Sequence, residues 1–223
     1  MLSWEMTVTR PATQEPTRTR SEKRDLILDA AIKVFASRGY HGSRVSDIAR
    51  EAGIAYGLVY HYFKNKEEIL SCIFQERWSG FLEAVEDVAG ARTSSEERLV
   101  SLAVLILSAF RLRPEWVKVL VLEIQRSSRF AEPEQLKAVG RLFDVVEGIV
   151  REGQERGELR PELDAGVAEY IFIGALDLVI TGLVLGVTRI EGDETDEREY
   201  YLKVARTVVE IFLHGLARKE SKS

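Results

Sequence analysis

Apolar residues along this chain recur at spacings of three and four almost throughout, the pattern of helices that each bury one face. The first run spans roughly Glu22 to Arg38, with Leu26, Ile27, Ala30, Ala31, Val34 and Phe35 inward and Gly39 as its stop. A short helix follows from about Val45 to Ala52. Val45, Ile48, Ala49 and Ala52 share its face, Ser46 is the N-cap candidate and Gly53 ends it. Ile54 plugs the turn, and a second short helix of about eight residues starts near Ala55 or Tyr56. Val59 and Phe63 can face the core, which leaves Leu58, Tyr60, His61 and Tyr62 pointing mostly outward. Exposed aromatics at this density mark a contact surface. After a helix and a glycine turn they suit the recognition helix of a helix-turn-helix, which enters the major groove.

The next helix runs from about Lys66 to Ala89, too long for this head alone, and predicts a rigid link to a second domain. Beyond Gly90, Ser94-Ser95-Glu96-Glu97 has the form of a capping box. Leu99 to Phe110 is apolar on nearly every face, which predicts a central helix of the body. Pro114 opens another helix from its first turn, with Trp116, Val117, Leu120, Val121 and Ile124 as its buried stripe. A helix from about Pro133 to Arg156 turns Leu136, Val139, Leu142, Phe143, Val146, Ile149 and Val150 inward and stops at Gly157. Asp164 is the N-cap of the next one.

The last two helices cover about 165–188 and 196–218. The first is long enough to raise the question of a membrane span. Glu169 and Asp177 interrupt it, and no flanking pattern supports insertion. Burial on two sides, against its own core and against a second subunit, accounts for its composition. Gly174, Gly182 and Gly186 permit close helix approach, and Val204, Val208, Ile211, Phe212 and Leu216 supply the other half of an interface. Asp177 within an apolar helix is costly unless paired, so it either bonds within the dimer or lines a ligand cavity.

The net charge of −5 argues at first against nucleic acid, but its distribution reverses that: residues 18–66 carry +5 and residues 67–223 carry −9. A basic head on an acidic body fits a DNA-binding module attached to a regulatory body. The single cysteine, Cys72, forms no internal disulfide and suits a reducing cytoplasm. Residues 1–20 lack the apolar core of a signal peptide and read as a disordered or extended arm. No nucleophile elbow, phosphate loop, His/Cys ligand set or dinucleotide turn is present, so neither an enzyme, a metal nor a cofactor is expected. His41 and His214 are treated as structural. A rival of a different class is a helical protein-interaction module without specific DNA binding. It would lack the steep salt dependence that a basic head predicts.

The ordered features Ile27-Leu28-Asp29-Ala30-Ala31, Phe35-Ala36 with Gly39-Tyr40, Val45-Ser46-Asp47-Ile48-Ala49, Ala52-Gly53-Ile54 and Gly57-Leu58-Val59-Tyr60-His61-Tyr62-Phe63, followed by Lys66-Glu67-Glu68-Ile69-Leu70, run from Arg24 through Leu70. This stretch resembles the DNA-binding domain of the TetR family of bacterial transcriptional regulators. Two departures are Ala55, where the family often has Ser or Thr, and Tyr56, larger than many residues found there. The resemblance implies an all-α chain: a helix-turn-helix head over 21–66 and a helical ligand-binding and dimerisation body over 67–223. It implies a cytoplasmic, ligand-controlled repressor. A homodimer through about 165–188 and 196–218 would meet half-sites of a roughly palindromic operator.

By the same resemblance Tyr60 and Tyr62 would contact phosphates, His61 would read a base edge or a phosphate, and Leu58 would touch a thymine methyl. Arg44 and Lys66 would hold phosphates, Ser43 and Ser46 would add backbone contacts, and Ala55, Tyr56 and Gly57 complete the DNA face. An apolar effector pocket is expected from Leu102, Ile106, Phe110, Trp116, Leu120, Leu142, Phe143, Val146, Phe172 and Leu176. The segment from Val121 to Phe130 resembles FadR-type members, which repress fatty-acid degradation genes and leave DNA on binding long-chain acyl-CoA. On that reading Arg111, Arg113, Lys118, Arg126 or Arg129 would meet the CoA phosphates. The rival is a multidrug- or antibiotic-type repressor whose apolar effector carries no phosphate.

Overall fold

The computed structural model describes residues 19–124, 133–187 and 194–216. Most of the expected arm and the segment bearing Arg126 and Arg129 lie outside those residues. Among the described residues all regular structure is helical.

Helix α1 (Arg20–Arg38) begins two residues before the expected start, at a reciprocal cap. The Thr19 hydroxyl accepts from the Glu22 N–H (3.2 Å), and the Glu22 carboxylate accepts from the Thr19 N–H (2.6 Å). Thr19 and Arg20 therefore belong to the head rather than to the arm. Gly39, at φ 72°, ends the helix by donating its N–H to the Phe35 carbonyl at 2.9 Å. The buried face is wider than expected, because Leu28, Ile32 and Ala36 are buried as well. Helices α2 (Val45–Glu51), α4 (Lys66–Ala89) and α6 (Pro114–Val119) all pack against α1, so one stripe is not enough.

Helix α2 (Val45–Glu51) meets the four-residue α3 (Tyr56–Val59) across a turn in which Gly53 takes φ 65°. The expected eight-residue recognition helix is thus half that length. Beyond Val59 the chain tightens into turn hydrogen bonds from His61 to Leu58 and from Tyr62 and Phe63 to Val59. Helix α4 (Lys66–Ala89) has the expected limits and starts at an Asn65 cap. Arg24–Glu76 and Arg77–Asp29 ion pairs bind it to α1, and Arg141–Glu86 binds it to α7.

In the body, α5 (Ser95–Leu112) touches α4, α6, α7, α8 and α9, the central position its apolar circumference predicts. Pro114 opens α6 (Pro114–Val119), which runs into a π-helical turn over Leu120–Ile124. Helix α7 (Pro133–Glu155) corrects one expectation: Leu136 is exposed and Gln135 is buried in its place, so the inward face starts one residue earlier. Helix α8 (Ala165–Val184) is capped by Asp164, and α9 (Glu194–Leu216) closes over α5. Phe212, expected on an intersubunit face, instead packs on Phe172 in its own core, with ring centroids 5.3 Å apart. The length and apolarity of α8 would allow a membrane span, yet Phe172, Leu176, Ile180 and Leu183 are buried in the body.

Candidate DNA-binding face and effector cavity

The first turn of α2 is held by Asp47, not by Ser46. The Asp47 carboxylate accepts from the Arg44 N–H (3.0 Å) and from the Arg38 and Arg50 guanidinium groups (2.9 and 2.7 Å). The Arg44 N–H, followed by the two arginine charges, holds its pKa below the ordinary carboxylate range. Ser46 is freed from capping and exposed, as is Arg44.

Ser43 and Lys66 are placed differently from the phosphate contacts expected of them. Ser43 is buried, and its hydroxyl donates to the Gly39 carbonyl at 2.6 Å. The Lys66 ammonium donates to the carbonyls of Tyr40 (2.5 Å) and Ser43 (2.9 Å) and sits 4.1 Å from the centre of the Tyr40 ring. Both side chains secure the turn between α1 and α2. Carbonyls just past a helix end lack partners within the helix, and a lysine at the start of α4 reaches them.

Ala55, Tyr56, Gly57, Tyr60 and His61 are exposed on or beside α3, while Leu58 and Tyr62 are half-buried. The Tyr56 and Tyr60 hydroxyls share a hydrogen bond of 3.0 Å, and their rings meet edge to face at 5.3 Å. That bond pushes the Tyr60 pKa upward. The rings remain 53% and 46% exposed, so a large aromatic surface faces outward from a helix of one turn.

The body holds a partly open cavity of about 330 Å³ between α4, α5, α6, α7 and α8. Of the residues expected there, Ile106, Trp116, Leu120, Leu142, Phe143 and Leu176 line it. Leu102, Val146 and Phe172 do not, being fully buried in solid core. Phe110 lies in a neighbouring groove instead. Trp78 and Phe81 of α4 also line the cavity, although nothing in their spacing separates them from ordinary core positions. The Trp78 indole donates to the Ala138 carbonyl at 2.9 Å and stacks on Phe74, which fixes the wall it forms. Tyr170, Gly174 and Asp177 add the α8 side. Trp116 Nε1 is buried without a hydrogen-bond partner.

The π-helical turn brings cavity and head together. Leu120 and Val121 lie in the cavity wall, while a Cβ placed on Gly39 would stand 3.3 Å from the Glu123 carboxylate. One widened turn thus touches both the space inside the body and the end of α1.

The pattern described as bacterial regulatory proteins of the tetR family matches residues 27–72, and that of the YsiA-like protein C-terminal region matches residues 74–205. The two meet within α4. The chain is 31% identical over 196 residues to the fatty acid metabolism regulator protein of Bacillus subtilis, covering 86% of this chain and 95% of that protein. It is 30% identical over 164 residues to the transcriptional repressor KstR2 of Mycolicibacterium smegmatis, covering 69% and 75%. Among solved structures, the fatty acid degradation regulator FadR of Bacillus halodurans aligns with a TM-score of 0.77 at 29% identity, covering 90% of this chain and all of that one. FadR of Bacillus subtilis in complex with stearoyl-CoA aligns at 0.74 and 29% identity, covering 86% and 98%.

Proposed function

Since the chain belongs to the TetR family of bacterial regulatory proteins, we propose that it is a cytoplasmic homodimeric repressor that leaves its operator when a long-chain acyl-CoA enters the body. The carrying observation is the apolar cavity of about 330 Å³ whose wall continues, through the Leu120–Ile124 turn, to the end of α1. The likeness to a fatty acid metabolism regulator over 95% of that protein's length supports the effector class.

The head, 19–66, meets DNA with Arg44, Ser46 and the Ala55–Tyr62 turn, and the body, 67–223, binds effector and partner. Dimerisation uses α8 and α9, where Val167, Ile171 and Leu178 on α8, with Leu185 just past its end, leave an exposed apolar strip and Ile211 is 70% exposed on α9. Two heads at a set spacing meet two half-sites. An effector that binds better to wrongly spaced heads empties the operator by shifting populations.

Fluorescence anisotropy on the DNA upstream of its own gene tests this. Tight, salt-sensitive binding abolished by oleoyl-CoA but not by free CoA is the expected result; binding indifferent to oleoyl-CoA removes the effector assignment. A second reading, an apolar cation, is favoured by the Asp177 carboxylate in the cavity wall. Release by a lipophilic cation in place of oleoyl-CoA selects it.

A further inference from the structure

A second groove, of about 380 Å³, lies against the head. On two body helices its lining repeats that of the cavity one turn nearer the head. Ile106 lines the cavity and Phe110 the groove on α5, and the corresponding pair on α8 is Ile180 and Val184; α6 serves both spaces, with Trp116 and Val117 in the cavity and Glu115 and Lys118 in the groove. One helical turn is about 5.4 Å, so the groove sits over the head-side end of the cavity. Its opposite wall is α1, which contributes Lys33.

The chemistry changes across that step. Carbon side chains dominate the cavity, whereas the groove presents an ammonium from the head (Lys33) and one from the body (Lys118), with Glu115 as its acid. Lys33 is exposed and has a loose ion pair with Glu51, at 3.6 Å between two solvent-facing groups. Such a pair contributes little and yields readily to a stronger anion.

We propose that this groove seats the phosphates of the effector, with Lys33 and Lys118 as the phosphate-binding residues. The inference rests on the acyl-CoA reading and deepens it: the chain fills the cavity while the polyphosphate end lies between α1 and α6. A ligand held there touches both domains, and so discriminates between head positions that an acyl chain alone would meet equally.

The test is calorimetric titration of the full-length protein and its Lys33→Gln/Lys118→Gln variant with oleoyl-CoA and with oleate. The expected result is an oleoyl-CoA affinity at least tenfold weaker in the variant, oleate affinity within twofold of wild type, and a smaller loss of oleoyl-CoA binding with added salt. Oleoyl-CoA bound by the variant within twofold of wild type overturns the groove and leaves the acyl-CoA reading standing. Wild type that binds no oleoyl-CoA overturns both. Lys118→Glu, confined to the body surface, repeats the measurement if the double variant melts early; it should weaken oleoyl-CoA further, and unchanged affinity again overturns the groove.

Discussion

Head and body use their aromatic residues in opposite ways. In the head Phe35 and Phe63 are almost fully buried in a filled core, while Tyr56 and Tyr60 stand outside on a one-turn helix. In the body Trp78, Phe81, Trp116 and Phe143 surround space. The first arrangement presents a rigid outer surface to a large partner; the second keeps an inner surface for a small one. The difference shows where each region is vulnerable. A filled core fails when it is trimmed, and a hollow one fails when it is plugged.

The largest effect is expected from trimming the head. Phe35→Ala removes a ring that is 1% exposed and should cost about 3–5 kcal/mol. Calorimetry should show the head melting early and DNA binding lost, with oleate binding to the body cavity kept. Simultaneous loss of both activities would mean that the two regions do not fail separately.

Plugging the body is the converse. Val139→Trp, in the cavity wall, should leave DNA binding within threefold of wild type and raise the oleoyl-CoA concentration needed for release at least tenfold. Normal release by this variant would place the effector elsewhere.

Lys66→Met separates holding the head together from touching DNA. Hydrogen bonds from a charged donor are worth about 1.5–3 kcal/mol, so chemical denaturation should reveal a loss on that scale. The slope of log affinity against log salt should stay as in wild type. A slope smaller by about one would restore Lys66 as a phosphate contact.

The smallest effect concerns Glu169, 7% exposed on α8 with Oε2 lacking a partner. Burial, and then the nearby Glu147 and Asp144, push its pKa above the ordinary carboxylate value. The folded protein therefore holds the proton more tightly than the unfolded chain does. Stability on this account is highest below the ordinary carboxylate pKa, falls as pH rises through the raised one, and carries the full penalty above it. Glu169→Gln should stabilise the protein by about 1 kcal/mol at pH 8, with the gain fading towards pH 4. A loss of stability at pH 8, measured by thermal melting, would contradict this account.

Much of the head was legible because its signals are local. Gly39 and Gly53 mark helix ends, and the Val59/Phe63 spacing leaves Tyr60 and His61 outside, though Leu58 and Tyr62, expected there too, are half-buried. What local reading missed there was where the helix starts: it begins at Val45 with Arg44 in the cap position, so Ser46 falls inside the first turn while Asp47 accepts from the Arg44 N–H. In the body the long apolar stripes named the right helices but not the right side chains. Leu102 and Ile106 lie four apart on α5, yet one is sealed in core and the other faces the cavity. Gln135 replaced Leu136 inside because α7 meets α4 at a rotation that periodicity alone leaves open.

By itself, then, the chain's order of residues determined the long helices, the caps at Ser94 and Asp164, the stops at Gly39, Gly53 and Gly157, the basic head and the acidic body, since each depends on residues a few positions apart or on plain counting of charge. Tertiary structure decided that Lys66 would clamp the carbonyls of Tyr40 and Ser43, that Trp78 would look into space instead of core, and that Lys33 and Lys118 would face one groove. The reason is geometric: a void or a shared groove belongs to several helices at once, and no single segment encodes the room left between its neighbours.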